Sequence, residues 1–393
     1  MGGGCGSHGP MFHLKPARWA SLLCVMALPV GSTLAEQYLV YVGTYTGAKS
    51  KGIHAFRTDT ATGVIEELGL VAETANPTFL AVHPDGRHLY AANEVGQFDG
   101  KPGGGVTAFE IDLRSGALKE TSRSSTVGGG PCHLVVDRTG RQVLVANYGG
   151  GSVASLPLDA AGRVGAHSAF IQHRGSSANP ARQKEPHAHS INVSPDNRFA
   201  FSADLGTDRV YAYSLDPAKG LVSPAMDSSP ALAPGSGPRH FAFHPSGRFA
   251  YVINEMLSTV TAFRYEAAKG ALTAVQTIGT LPEGWQGSSS TAEVVVHPNG
   301  RFLYGSNRGH DSLAIYSIDG ATGRLTLVGH EPTGGKTPRN FNLDPTGTTL
   351  WAANQSTDNI VIFSVDGATG RLKRTGQELK MGSPVCVKFV RVP

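Results

Sequence analysis

His83-Pro84-Asp85-Gly86-Arg87, His244-Pro245-Ser246-Gly247-Arg248 and His297-Pro298-Asn299-Gly300-Arg301 are three copies of one turn. Looser copies at Asp137-Arg138-Thr139-Gly140-Arg141, Ser194-Pro195-Asp196-Asn197-Arg198 and Asp344-Pro345-Thr346-Gly347-Thr348 bring the number to six. Pro followed by a short polar residue and Gly is turn chemistry, the Gly taking positive φ. Each copy separates two short runs of alternating apolar residues, such as Phe79 to Val82 and His88 to Ala92, which read as strands a and b of a hairpin. A second turn recurs seven times, at Gly63, Gly116, Gly162, Gly220, Gly270, Gly323 and Gly370, in phrases such as Ala321-Thr322-Gly323-Arg324-Leu325. It is the c–d hairpin. The glycines are 53, 46, 58, 50, 53 and 47 residues apart. Four strands recurring about every 40–50 residues predict a seven-bladed, all-β propeller.

Seven c–d turns against six a–b turns mean that one blade is split between a and b. The chain enters on a b-like strand, Tyr38 to Val42, and leaves on an a-like strand, Val385 to Val390. The C-terminal strand is therefore expected to complete the N-terminal blade and close the ring, leaving no open sheet edge. Composition agrees. Gly is 50 of 393 residues and charged residues are 16%, which suits short strands and tight turns. The net charge of +4 and the lack of a Lys/Arg block exclude a nucleic-acid-binding surface as the main feature. No apolar run reaches the length of a membrane span.

The first 35 residues read as an export signal, with residues 36–393 forming the propeller domain. Lys15 and Arg18 precede an apolar stretch from Trp19 to Val30, and Thr33-Leu34-Ala35 supplies a small-residue cleavage site. Cleavage after Ala35 leaves a periplasmic or secreted protein with no membrane attachment. It removes Cys5 and Cys24, and the remaining pair, Cys132 and Cys386, is too few for a disulfide framework. A monomer is expected.

Strands a and b are antiparallel, so the start of a and the end of b share one face of the ring. Residues common to all copies are structural on this reading. His83, His244 and His297 belong to the repeated turn on the opposite face and are set aside as ligands, and the Asn ending most b strands satisfies backbone. Strand a begins with Thr78, Cys132, His189, Arg239, Ala292, Arg339 and Val385, followed by Phe79, His133, Ser190, His240, Glu293, Asn340 and Cys386. Strand b ends with Tyr45, Glu94, Tyr148, Leu205, Glu255, Arg308 and Gln355. Imidazoles, guanidiniums and carboxylates thus gather at one channel mouth, which suits an anionic or polyoxygenated small molecule. The loops 172–187 and 279–291 lead into strand a and are expected to cover that mouth, with Trp285 placed to stack on a sugar ring. Plainer readings stand beside these. Glu255 and Arg239 can form a structural ion pair, Glu94 can be a solvated rim residue, and His310 and Asp311 can cap a b–c turn. His187 and His189 alternate along a strand and can face one metal, but no Cys or dense carboxylate cluster joins them. No phosphate loop or Gly-x-Ser-x-Gly elbow is present.

Gly130-Pro131-Cys132-His133, Ala146-Asn147-Tyr148-Gly149-Gly150-Gly151, Pro186-His187-Ala188-His189-Ser190, Gly237-Pro238-Arg239-His240, Asn254-Glu255 and Asn307-Arg308-Gly309-His310-Asp311-Ser312, taken in order, resemble the propeller-type 6-phosphogluconolactonase (lactonase) family. The resemblance runs from about residue 37 to the end. It implies a seven-bladed propeller and sugar-lactone hydrolysis, in a family related to carboxy-cis,cis-muconate lactonising enzyme; no metal or cofactor is expected. It also implies a catalytic group at His189, Arg239, Glu255 and Arg308, with His187 as the alternative imidazole. His133, His187, His240, Tyr148 and Asp311 are then the expected substrate contacts. An exported enzyme would not meet a cytoplasmic pentose-phosphate intermediate, so lactone chemistry is better supported than that substrate. Two rival readings share the same rim: a propeller that binds a ligand or protein without turnover, and a lactonising enzyme acting on a muconate-like diacid.

Overall fold

A computed structural model describes residues 1–11, 13, 36–224 and 230–393. The basic and apolar stretches of the expected export signal, and its cleavage site, fall within 14–35, outside the described residues. The chain divides into two units, Met1–Leu34 and Ala35–Pro393, and the second holds the strands.

Seven four-stranded antiparallel sheets form the blades. The inner strands a are Pro384–Arg391, Pro77–Val82, Pro131–Val136, Ala188–Val193, Pro238–Phe243, Ser290–Val296 and Pro338–Leu343 in blades 1 to 7. Blade 1 is the composite one. Its strand a, Pro384–Arg391, pairs with Gln37–Thr44, the first strand of the domain, with Tyr38 facing Arg391 and Val42 facing Val387. Ring closure by the C-terminal strand is thus observed. A small extra hairpin, Gln97–Phe98 with Lys101–Pro102, decorates the b–c loop of blade 2.

The core lies between adjacent blades. Between blades 6 and 7, Phe302 and Leu313 meet Phe341, Leu350 and Phe363, all buried. Burial of side chains of this size contributes about 1.5–3 kcal/mol each. A polar clasp repeats beside this packing. Tyr41, Tyr90, Tyr251 and Tyr304 on strand b donate their hydroxyls to the carbonyls of Gly116, Gly162, Gly323 and Gly370 in the next blade's c–d hairpin, at 2.8–3.1 Å. Gly323 has φ +75°, and a Cβ there would lie 2.5 Å from Phe249. Turn geometry and close packing therefore both demand glycine at this position.

Strand a begins irregularly in every blade. Pro77 pairs with Asn93 and Phe79 with Ala92, so Thr78 has no opposite number. Cys132, His189, Arg239 and Arg339 occupy the same unpaired place in blades 3, 4, 5 and 7. Val385 does so in blade 1, and blade 6 carries one extra residue between Thr291 and Val294. These are one-residue β-bulges, which bend the strand and re-aim a side chain.

Candidate active site

Each bulge frees one side chain from strict alternation, and several of those freed side chains meet at the channel mouth. Arg239 is only 2% exposed. Its Nε donates to Glu255 Oε2 at 3.1 Å and its Nη1 to the Ala292 carbonyl at 2.7 Å. Glu255 follows the last residue of its b strand, its own N–H bonded to the Gly237 carbonyl at 2.7 Å. Arg308 Nη2 lies 2.9 Å from the same Glu255 Oε2 and donates to the Thr291 carbonyl at 2.7 Å. Arg182 Nη2, from the loop 172–187, donates to Glu255 Oε1 at 2.9 Å and to the Tyr148 hydroxyl at 3.2 Å. One carboxylate thus organises three guanidiniums. Burial by itself would raise the Glu255 pKa, but Arg308, Arg239 and Arg182 outweigh it and hold the carboxyl down at about 2.

On the other side of the mouth, Arg339 donates to the Tyr45 hydroxyl at 3.0 Å. Tyr45 and Thr78 both donate to Glu94, at 2.9 and 2.6 Å. Glu94 is therefore a tied component of the site rather than a solvated rim residue. Arg339 has no carboxylate within 4.0 Å among the described residues, and the buried Nε–H of Arg308 has no hydrogen-bond partner there either. His189 is buried, with Nδ1 3.5 Å from Cys132 Sγ. Burial and the neighbouring Arg239 push its pKa well below the usual imidazole range, so the ring is neutral at neutral pH. Burial likewise pushes the Cys132 thiol up, away from thiolate chemistry.

Glu94, Cys132, Tyr148, Arg182, His189, Glu255, Ser290, Arg308 and Arg339 line one cavity of about 320 Å³. Four guanidiniums, counting Arg239 behind the wall, face two carboxylates, an excess of two positive charges.

The structure brings His189, Arg239, Glu255, Arg308 and Tyr148 together as the sequence suggested. It does not bring the other expected substrate contacts to the cavity wall. His133 and His240 lie one residue further into the channel. There His133 Nδ1 accepts from the Ile191 N–H, and His240 Nδ1 lies 2.8 Å from Glu293 Oε1. Their rings are 5.2 Å apart, and the Phe79 ring lies 4.1 Å from that of His133, tilted by 30°, so this layer packs across the channel beneath the cavity. The His187 ring stacks on Tyr148 at 4.6 Å, its Nδ1 directed at the Tyr148 carbonyl. Asp311 accepts from the Gly309 and Thr337 N–H groups at 3.1 and 2.8 Å, as a capping residue does. Both loops reach the mouth, through Arg182 and Ser290. Trp285 instead packs edge-on to His310 at 4.5 Å. Arg182 is not among the residues expected from the sequence, because its loop is longer than its counterparts and no residue of the sibling repeats aligns with it.

Comparison with known proteins agrees with this fold. The family model described as lactonase, seven-bladed β-propeller, matches residues 39–389. A 6-phosphogluconolactonase of Bacillus subtilis (strain 168) is 36% identical over 354 residues, covering 90% of this chain and 99% of the relative. A 6-phosphogluconolactonase of Formosa agariphila is 37% identical over 311 residues, 78% of this chain and 86% of the relative. The solved periplasmic gluconolactonase of Pseudomonas aeruginosa superposes with a TM-score of 0.85 at 36% identity, covering 91% of this chain and all of that one. With seven blades, a split first blade and a family match spanning nearly all of the propeller, the chain belongs to the lactonase family of seven-bladed β-propellers.

Proposed function

We propose that the protein hydrolyses a sugar lactone at the channel mouth, and that the lactone or its product acid is held there by arginine. The observation that carries this reading is the cavity itself: an excess of guanidinium charge around a neutral, buried imidazole. Opening a lactone needs a water that loses a proton as it attacks, and a donor for the oxyanion of the tetrahedral intermediate. His189 takes the proton from the attacking water. The oxygen adds to the carbonyl carbon, the ring C–O bond breaks, and the proton passes to the departing alkoxide. Arg308, which lines the cavity, and Arg339, free of a carboxylate, donate to the oxyanion and then to the product carboxylate. Both oxygens of Glu255 are held by guanidiniums, which leaves the proton transfer to His189. Glu255 positions the arginines.

The relatives named for 6-phosphogluconolactone and gluconolactone support this substrate class. The periplasmic relative also supports export, and cleavage after Ala35 is part of the proposal. A panel of aldonolactones with and without a phosphate or carboxylate substituent, followed by acid release at constant pH, tests the activity. Opening of at least one of them, lost in His189→Gln, is expected. A wild type that binds lactones and opens none would leave a binding propeller instead. The mass of the protein recovered from the periplasm tests the export, with Glu36 expected as first residue and a full-length cytoplasmic chain overturning it.

A further inference from the structure

Among the described residues, one group of three potential metal donors lies close enough to share an ion, and it is not at the mouth. His83, Asp85 and His88 sit in the a–b turn of blade 2, on the opposite face, with their ligand atoms all within 4.8 Å of one another. The same turn in blades 5 and 6 supplies an internal comparison. Its first residue is His in all three, and the ring is fixed in the same way in each. The backbone N–H two residues on approaches Nδ1, from Asp85, Ser246 and Asn299, at 3.1–3.2 Å. Nε2 lies 2.7–3.0 Å from the carbonyl of Gly140, Gly300 or Gly347 in the next blade. That pair of contacts selects the tautomer with the proton on Nε2 and a lone pair on Nδ1.

In blade 5 the side chain facing that lone pair is Ser246, whose hydroxyl can donate to it at 2.8 Å. In blade 2 it is the Asp85 carboxylate, with Oδ1 2.9 Å from His83 Nδ1. A carboxylate has no proton to give, so with the proton on Nε2 two acceptors face each other here, an arrangement that a cation between them relieves. The other oxygen, Oδ2, faces His88 Nδ1, again at 2.9 Å. His88 is the second departure. Its place is taken by Phe249 and Phe302 in the sibling turns, where the ring packs against Gly323 and Gly370. His88 packs against Gly162 in the same way. Blade 2 alone of these three has exchanged a neutral residue for an acid and a phenyl ring for an imidazole, and the two changes meet at one carboxylate.

We propose that His83, Asp85 and His88 form a binding site for a divalent ion of the zinc class. Two imidazoles and one carboxylate suit zinc, cobalt or nickel rather than magnesium or calcium, which favour all-oxygen shells. The Nε2–H of His83 on a backbone carbonyl is the outer contact that metal-bound histidines ordinarily make. Zinc–ligand bonds of about 2.0–2.2 Å set neighbouring donors about 3.4 Å apart in a tetrahedron, so the group must open by about half an ångström. Asp85, with 36% of its side chain exposed, has room to do so. Solvent supplies the fourth position, since His83 and Asp85 also line a cavity of about 410 Å³ on that face. The ion would fasten the turn of blade 2 and, through His83 and Gly140, the neighbouring turn of blade 3.

The test uses the whole mature protein, stripped with a chelator and desalted, then titrated with Zn²⁺ by calorimetry and followed by thermal unfolding. The variant is Asp85→Ser with His88→Phe, which rewrites the turn in the form that blade 5 already folds. One equivalent of Zn²⁺ should bind the wild type and raise its melting temperature, as any ligand selective for the folded state does. Mg²⁺ should not. The double variant should bind at least tenfold more weakly. Equal Zn²⁺ affinity in the two proteins would overturn the proposal. So would a wild type whose melt ignores Zn²⁺.

Discussion

Replacing Glu255 with Gln keeps the volume of the side chain and one acceptor oxygen but removes the charge that three arginines share. The pKa of this carboxyl falls from an ordinary 4.5 to about 2 in the fold. At about 1.4 kcal/mol per pH unit, that difference corresponds to roughly 3 kcal/mol of stability at pH 7. The figure agrees with the 3–5 kcal/mol, roughly, that breaking a buried ion pair costs when one partner is left behind. Arg239, 2% exposed, is that partner. Because the folded value is the lower one, the contribution is complete above the unfolded pKa and is lost as pH falls through 4.5 toward about 2. Urea unfolding of wild type and Glu255→Gln should therefore differ by roughly 3 kcal/mol at pH 7 and by less than half of that at pH 3. Lactone opening should fall by about 10² or more, the scale of losing one well-placed oxyanion donor, since Arg308 loses its anchor. Wild-type stability and turnover in the variant, or a stability gap that does not change between pH 7 and pH 3, would refute this account of the site.

Three further outcomes are expected. His189→Gln should lower kcat by about 10²–10⁴. In the wild type, with this imidazole pushed well below its usual range, the rate should stay level as pH drops through that range and decline only beneath it. Arg339→Lys keeps the charge but not the planar fork, so KM for a lactone bearing an acidic group should rise about tenfold or more, measured against a neutral lactone as reference. Deleting Val385 to Pro393 strips the inner strand from blade 1 and should yield aggregated protein with no cooperative melt, assessed by size exclusion and circular dichroism.

The architecture could be read from the sequence because it is written seven times. A glycine such as Gly323 or Gly370 recurs wherever a positive φ and a crowded neighbour leave no alternative, and the surplus of one c–d turn over the a–b turns exposed the split blade. The site was legible where it departs from that repetition, at Arg239, Glu255 and Arg308. Two kinds of information were missing. The bulges place consecutive residues such as Arg239 and His240 toward the same channel at different depths, and alternation alone cannot tell the cavity wall from the layer beneath it. Arg182 arrives from a loop held by contacts such as Gln183 to the Leu205 carbonyl at 2.8 Å, which no local pattern announces. His83 matches its siblings in the repeated turn, but its neighbours Asp85 and His88 differ from theirs.

The unpaired residue at the head of each inner strand has a consequence for how such a protein can change. Thr78, Cys132, His189, Arg239, Arg339 and Val385 stand outside the hydrogen-bonded register, so exchanging one of these side chains need not disturb the strand pairing around it. The mouth is in effect a ring of interchangeable sockets on a frame that is specified elsewhere. Thr78 is already engaged through its bond to Glu94, and Val385 is the apolar member of the set. New selectivity for a larger or differently charged lactone is most readily introduced at such a socket, where a changed side chain leaves the frame intact.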